Sequence, residues 1–86
     1  MANWINENNV LLKTYIFADF EAAMHFVQLA AKEIAIHNHH PEWSNVYNRV
    51  SVKLTTHDAG NTITEKDEKL AVVLDEVFNK IMGEAI

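Results

Sequence analysis

The single proline of this 86-residue chain, Pro41, stands between two segments whose apolar residues recur with different periods, and no one helix can join them. Its ring crowds the backbone before it and drives residue 40 towards extended geometry. On the N-terminal side, Asp19 is an N-cap for a helix running to about Ala35 or His37. Within it Phe20, Met24, Val27, Ala31 and Ile34 recur at alternating four- and three-residue steps, and a second stripe of Ala22, Phe26, Leu29 and Ile36 lies beside them. On the C-terminal side, Trp43 to Tyr47 reads as a short strand, Asn48-Arg49 as a turn and Val50 to His57 as a longer strand. There Val50, Val52, Leu54 and Thr56 alternate with Ser51, Lys53, Thr55 and His57, which puts His57 on the polar face. His39 and His40 fall at the helix-to-strand junction, where their directions diverge.

The flanks complete the pattern. Trp4 and Ile5 precede a polar turn, Asn6-Glu7-Asn8-Asn9, and Val10 to Phe17 is a run rich in β-branched and aromatic residues. After a loop, Asp58 to Ile63, Thr64 with Asp67 three residues on is close to a capping box. Leu70, Val73, Leu74, Val77 and Ile81 then form a helical stripe with Phe78 at its edge. The expected fold is α+β: β-β-α-β-β-α, a four-stranded, mostly antiparallel sheet with two helices on one face. One domain, 1–86, is expected, because two Gly and one Pro leave no linker. A single core of this size gives a modest margin of stability. The apolar sector of the first helix is also wider than one sheet covers. Both point to a homo-oligomer, expected as a dimer or tetramer; a deeper groove within the chain is the alternative.

Composition excludes several classes of function. With no cysteine there is no disulfide framework, thiolate metal site or Cys nucleophile, which fits a reducing, cytoplasmic location. The N-terminal segment has no basic and apolar regions of a signal peptide. No apolar run approaches the roughly 20 residues that span a bilayer, so no membrane partner is expected. A formal charge of −5 argues against direct nucleic-acid binding through the phosphate backbone.

Three of the five histidines crowd into His37-Asn38-His39-His40. A metal site from His37, His40 and His57 would need ligands converging on one point, and Pro41 forces the neighbouring pair apart. Decoration of a helix C-terminus suits His37, and His25 lies mid-helix, but neither reading covers an adjacent pair plus a fourth His on a strand. Acid–base chemistry does, since imidazole exchanges protons near neutrality.

The segment HHPEWSNVYNRVSVKLTTHD, His39 to Asp58, resembles the core of the pterin-4a-carbinolamine dehydratases. His39-His40-Pro41, Tyr47, His57 and Asp67 fall on that family's spacings, and Phe17-Ala18-Asp19-Phe20 and Thr64-Glu65-Lys66-Asp67 resemble the starts of its two long helices. Ala35 departs from the pattern, which often has a charged residue there. The resemblance implies dehydration of a 4a-hydroxytetrahydropterin to the quinonoid dihydropterin, in pterin recycling, with no metal or organic cofactor. It implies a catalytic set of His39, His40 and His57. Asn38, Thr55, Thr56 and Asp58 match segments that line the family's pterin pocket. Trp43 is either a wall for the flat ring or a core residue. Asp67 is read as a helix cap. The alternative function is a non-catalytic interaction module of the same fold, akin to the dimerisation cofactors among animal members.

Overall fold

Asn8 and Asn9 have φ values of 53° and 63°, the left-handed geometry that a two-residue hairpin loop of type I′ demands at both positions. The structure, a computed structural model, describes residues 3–84. The two asparagines join β1 (Ile5–Glu7) to β2 (Val10–Ile16), and Asn6 and Glu7 pair with Leu11 and Val10. The turn is therefore shorter than the four-residue one expected. A second hairpin joins β3 (Glu42–Val46) to β4 (Arg49–Leu54). Its loop is Tyr47-Asn48 instead of Asn48-Arg49, since Arg49 already pairs with Val46. Tyr47 has φ 51°, and Asn45 Nδ2 braces the turn by donating to the carbonyls of Tyr47 and Arg49 at 3.1 and 2.9 Å.

The strands form one antiparallel sheet in the order β1-β2-β4-β3. Pleat alternation gives it two unlike faces. Leu11, Tyr15 and Phe17 from the β2 segment, with Val50, Val52, Leu54 and Thr56 from the β4 segment, are buried beneath the helices. Thr14, Ile16, Arg49 and Lys53 belong to the open face. The helices are α1 (Phe20–His37) and α2 (Glu65–Glu84). Among the described residues, no helix is long and apolar enough to cross a membrane.

Helix α1 starts where Asp19 accepts from Ala22 N–H at 2.8 Å. It stops at Asn38, whose φ of 50° is left-handed and whose N–H reaches Ala35 O at 3.3 Å. Its core-facing line is Ala23, Phe26, Ala30 and Ile34. This corrects the expected Phe20–Met24–Val27–Ala31–Ile34 face. Phe20 is 46% exposed, Ala31 is exposed, and Met24, Val27 and Leu29 are flanking, partly buried residues. The physical reason is size. Two alanines at the contact line bring α1 close, and Phe26 then fits between Tyr15 and Phe17, with ring centroids 4.8 and 5.3 Å away. Helix α2 keeps Leu70, Leu74 and Ile81 buried as expected, adds Ala71, and packs Phe78 against Tyr15 and Phe17 at 5.0 and 5.3 Å.

One polar cluster lies within this packing. Asp75 of α2 accepts from Tyr15 OH at 2.6 Å, Lys13 Nζ at 2.7 Å and Trp4 Nε1 at 3.0 Å. Lys13 also lies over the Tyr15 ring, 4.8 Å from its centroid. Burial, with the Asp75 carboxylate adding to it, pushes the Tyr15 hydroxyl far above the ordinary phenol range, so it remains a donor. Phe26→Ala should lower the unfolding free energy by about 3–5 kcal/mol. Asp75→Ala should lower it by about 1–3 kcal/mol, because three donors lose their acceptor. Phe20→Ala should stay within about 0.5 kcal/mol of the parent. Denaturant titrations measure all three, and equal losses at Phe20 and Phe26 would contradict the core line described.

Candidate functional site

Side chains alternate as the chain enters β3, so His40 shares the open face with Glu42 and His39 turns to the helix side. His39 Nε2 lies 2.6 Å from Asp67 Oδ1, and because a carboxylate only accepts, Nε2 carries the proton. Asp67 is fully buried in the first turn of α2. Its other oxygen accepts from Thr56 Oγ1–H at 2.7 Å and Thr64 N–H at 2.9 Å. The hydroxyls of Thr56 and Thr64 are 2.7 Å apart, so Thr64 donates to Thr56. Thr64 Oγ1 in turn accepts from Lys66 N–H at 3.3 Å. The capping role expected for Asp67 is present, and it is joined by two long-range bonds that sequence reasoning did not foresee.

Burial alone would raise the Asp67 carboxyl. Hydrogen bonds from His39, Thr64 N–H and Thr56, and the charge of His39, outweigh it and hold the group below the ordinary carboxylate range.

On the open face, Val10, His40, Glu42, Lys53, Thr55 and His57 line a cavity of about 180 Å³. His57 reaches it from a single 3₁₀ turn (His57–Ala59) that follows β4, where the alternation alone had extended the strand. The turn closes through Gly60, with φ 84°, and its N–H donates to His57 O at 3.0 Å. Thr56 N–H donates to Thr62 O at 2.9 Å, and Asn61 N–H to Thr56 O at 3.1 Å, which closes the loop. His57 Nδ1 lies 2.6 Å from Asn61 Oδ1. Thr55 Oγ1–H donates to Asn9 O at 3.1 Å and ties the first hairpin to the cavity rim.

The structure thus brings together His40, His57 and Thr55 of the expected site. His39 and Thr56 belong to the buried Asp67 network. Asn38 is the exposed C-cap of α1, and Asp58 is exposed in the 3₁₀ turn; neither lines the cavity. Trp43 is half-buried, pairs in register with buried Val52 and packs against the core, which favours its core reading. Tyr47 lies in the hairpin at the opposite end of β3, 64% exposed. His37 sits 3.8 Å from Glu33 on the helix surface. Among the described residues no three His, Asp or Glu side chains converge on a metal position. Glu42, Lys53 and Asn61 were not anticipated. The first two had a signal: the alternation that places His57 also places Lys53, and antiparallel pairing sets Glu42 opposite it.

The geometry defines a class: a small α+β domain that presents two imidazoles to one cavity on the open face of its sheet. Residues 1–77 match the family described as pterin 4 alpha carbinolamine dehydratase, and the chain belongs to that family. A protein of Opitutus terrae, provisionally named a pterin-4-alpha-carbinolamine dehydratase, is 52% identical over 71 residues, covering 83% of this chain and 73% of that protein. A relative from Solibacter usitatus with the same provisional name is 53% identical over 72 residues, covering 84% and 75%. The crystal structure of a Brucella melitensis protein described as a transcriptional coactivator/pterin dehydratase superposes with a TM-score of 0.84 at 35% identity, covering 90% of this chain and 83% of that one. A pterin dehydratase-like protein identified as a RuBisCO assembly factor in the alpha-carboxysome shares the fold alone, at TM-score 0.73, 16% identity and coverage of 87% and 86%.

The Asp67 network carries an acid-stability signature. A carboxyl whose folded value is depressed stabilises fully above its unfolded value, about pH 4, and loses that contribution as pH falls through the folded value. Asp67→Asn should therefore flatten the loss of unfolding free energy on acidification below about pH 5. Urea midpoints from neutral to acid pH read this directly, and parallel curves for parent and variant would rule the carboxylate out as the source.

Proposed function

We propose that the chain dehydrates 4a-hydroxytetrahydropterins to quinonoid dihydropterins by imidazole acid–base catalysis. The observation that supports it most is the meeting of His40 and His57, from two separate elements, in one cavity. In the reaction the C4a–O bond breaks with its electron pair on oxygen, and that oxygen takes a proton and departs as water. The proton on N5 goes to a base, and the N5 electron pair closes the C4a=N5 double bond. One acid and one base are needed on neighbouring atoms, and two imidazoles in opposite protonation states supply both. Only protons are exchanged, so the scheme uses no cofactor.

The rest of the cavity suits a pterin. Its pyrimidinone edge offers adjacent N–H donors to the Glu42 carboxylate, and its carbonyl accepts from Lys53. His39, assigned to the catalytic set by resemblance, contributes by holding the backbone from which His40 projects, because its Nε2 is bound to Asp67. Assembly of several copies is part of the same proposal. Ile36, Val72 and Met82 are exposed apolar residues on the helices, at 73, 49 and 38%, and a second copy would cover them. Equilibrium sedimentation at micromolar concentration should show a species heavier than 9.8 kDa; a sole monomer would end this part of the proposal.

Stopped-flow dehydration of a 4a-carbinolamine, with and without protein, tests the reaction. His40→Ala and His57→Ala should each reduce kcat/KM by about 10²–10⁴-fold with the fold intact. His25→Ala, on the exposed surface of α1, should match the parent. A double variant should fall little below the poorer single one, as for groups that act in one step. Parent-like rates in both single variants would refute the assignment.

A further inference from the structure

We propose that Asn61 is a positioning residue for His57, fixing the tautomer that leaves Nε2 to exchange protons in the cavity. The role in turnover rests on the dehydratase reading; the tautomer itself does not.

The amide oxygen of Asn61 can only accept, and it lies 2.6 Å from His57 Nδ1. Nδ1 therefore carries a proton in the neutral ring as well as in the imidazolium. The proton that comes and goes is on Nε2. An unconstrained histidine in water favours the opposite neutral tautomer, with the proton on Nε2, so this contact reverses the intrinsic preference. A neutral ring held this way presents a lone pair at Nε2, the form a general base needs.

Asn61 can hold this orientation because its own backbone is anchored. Its φ of 58° is left-handed, a conformation Asn tolerates better than most residues. Its N–H is fixed on Thr56 O, and Thr56 is fixed on buried Asp67. The loop between Thr56 and Thr62 is closed by backbone bonds, so the exposed His57–Asn61 contact is not what closes it. The charged and titratable groups around His57 are His40, Glu42 and Lys53 along the cavity and Asp58 on its own turn. Among these the Asn61 amide is neutral. Its oxygen sets which nitrogen is protonated, and unlike a carboxylate it brings no net charge to the ring.

The test combines ring ¹⁵N–¹H correlation spectra of His57 with dehydratase kinetics. Asn61→Gly removes the acceptor and keeps the positive φ. In the parent, neutral His57 should show the Nδ1–H pattern, and in Asn61→Gly it should move to the Nε2–H pattern. In the same variant kcat should fall roughly 10–100-fold, the scale on which loss of the outer partner of a metal-bound imidazole lowers activity, with KM little changed. Asn61→Asp retains the acceptor, so it should restore kcat. Its charge favours the imidazolium, which should move the acidic limb of the pH–rate profile, where a base must lose its proton, to higher pH. An Nε2–H parent, or an Asn61→Gly variant with unchanged tautomer or unchanged kcat, would overturn the proposal. A parent without dehydratase activity whose His57 nonetheless shows the Asn61-dependent tautomer would support the tautomer control and reject only the reaction.

Discussion

A carboxylate sealed from water must have its charge met by donors, and Asp67 is the place where this constraint organises the molecule. Its donors come from three separate stretches: the junction after α1, the residues just past β4 and the residue that precedes α2. Meeting that charge fixes where the sheet's last turn begins and where the second helix starts. It also fixes which way the chain faces as it leaves the first helix. His40 points to the open face because His39, one residue earlier, is committed to the buried side. The loop carrying His57 springs from Thr56, which is itself bound to the same carboxylate. Both imidazoles of the cavity thus stand one residue from a side chain bound to the same buried anchor.

The division between the two faces of the sheet explains how a chain this short holds a core and a site at once. Tyr15, Phe17, Phe26 and Phe78 fill the helix side with interlocking rings. Among the described residues the opposite face has no helix over it, and it exposes polar and titratable side chains. Asp75 performs for the first hairpin what Asp67 performs for the site end, binding strands to α2 through donors from β2 and from Trp4. Neither carboxylate is a surface ornament. Each is the acceptor at which elements distant in sequence are held in one arrangement.

Much of this frame is legible in the sequence because its signals are local. Asp19 and Pro41 bracket α1; the polar run Asn6 to Asn9 marks a hairpin, though only its last two residues form the loop; the alternation from Val50 to Thr56 assigns each residue to a face. Periodicity points to another face of α1 because it weighs bulk, whereas close packing gives the contact line to Ala23 and Ala30 beside Phe26 and Ile34. The Asp67 and Asp75 networks join residues 11 to 71 positions apart, and no repeat announces such a meeting. The His57–Asn61 contact is short in sequence but depends on a left-handed backbone at Asn61 that follows Gly60. The motif histidines were visible as a group; that His39 and His40 serve opposite sides of the sheet became specific only with strand register.

That register has a consequence for folding fidelity. Strand β3 meets β4 with Glu42 opposite Lys53 and Trp43 opposite Val52. A slip of one residue would exchange every side chain between the two faces. Trp43 would be turned out to water, and the imidazole of His40 would leave the open face for the helix side. The cavity would vanish in the same movement. Misaligned molecules would therefore be silent as well as unstable, and the fraction of active molecules in a preparation becomes a count of correctly aligned hairpins.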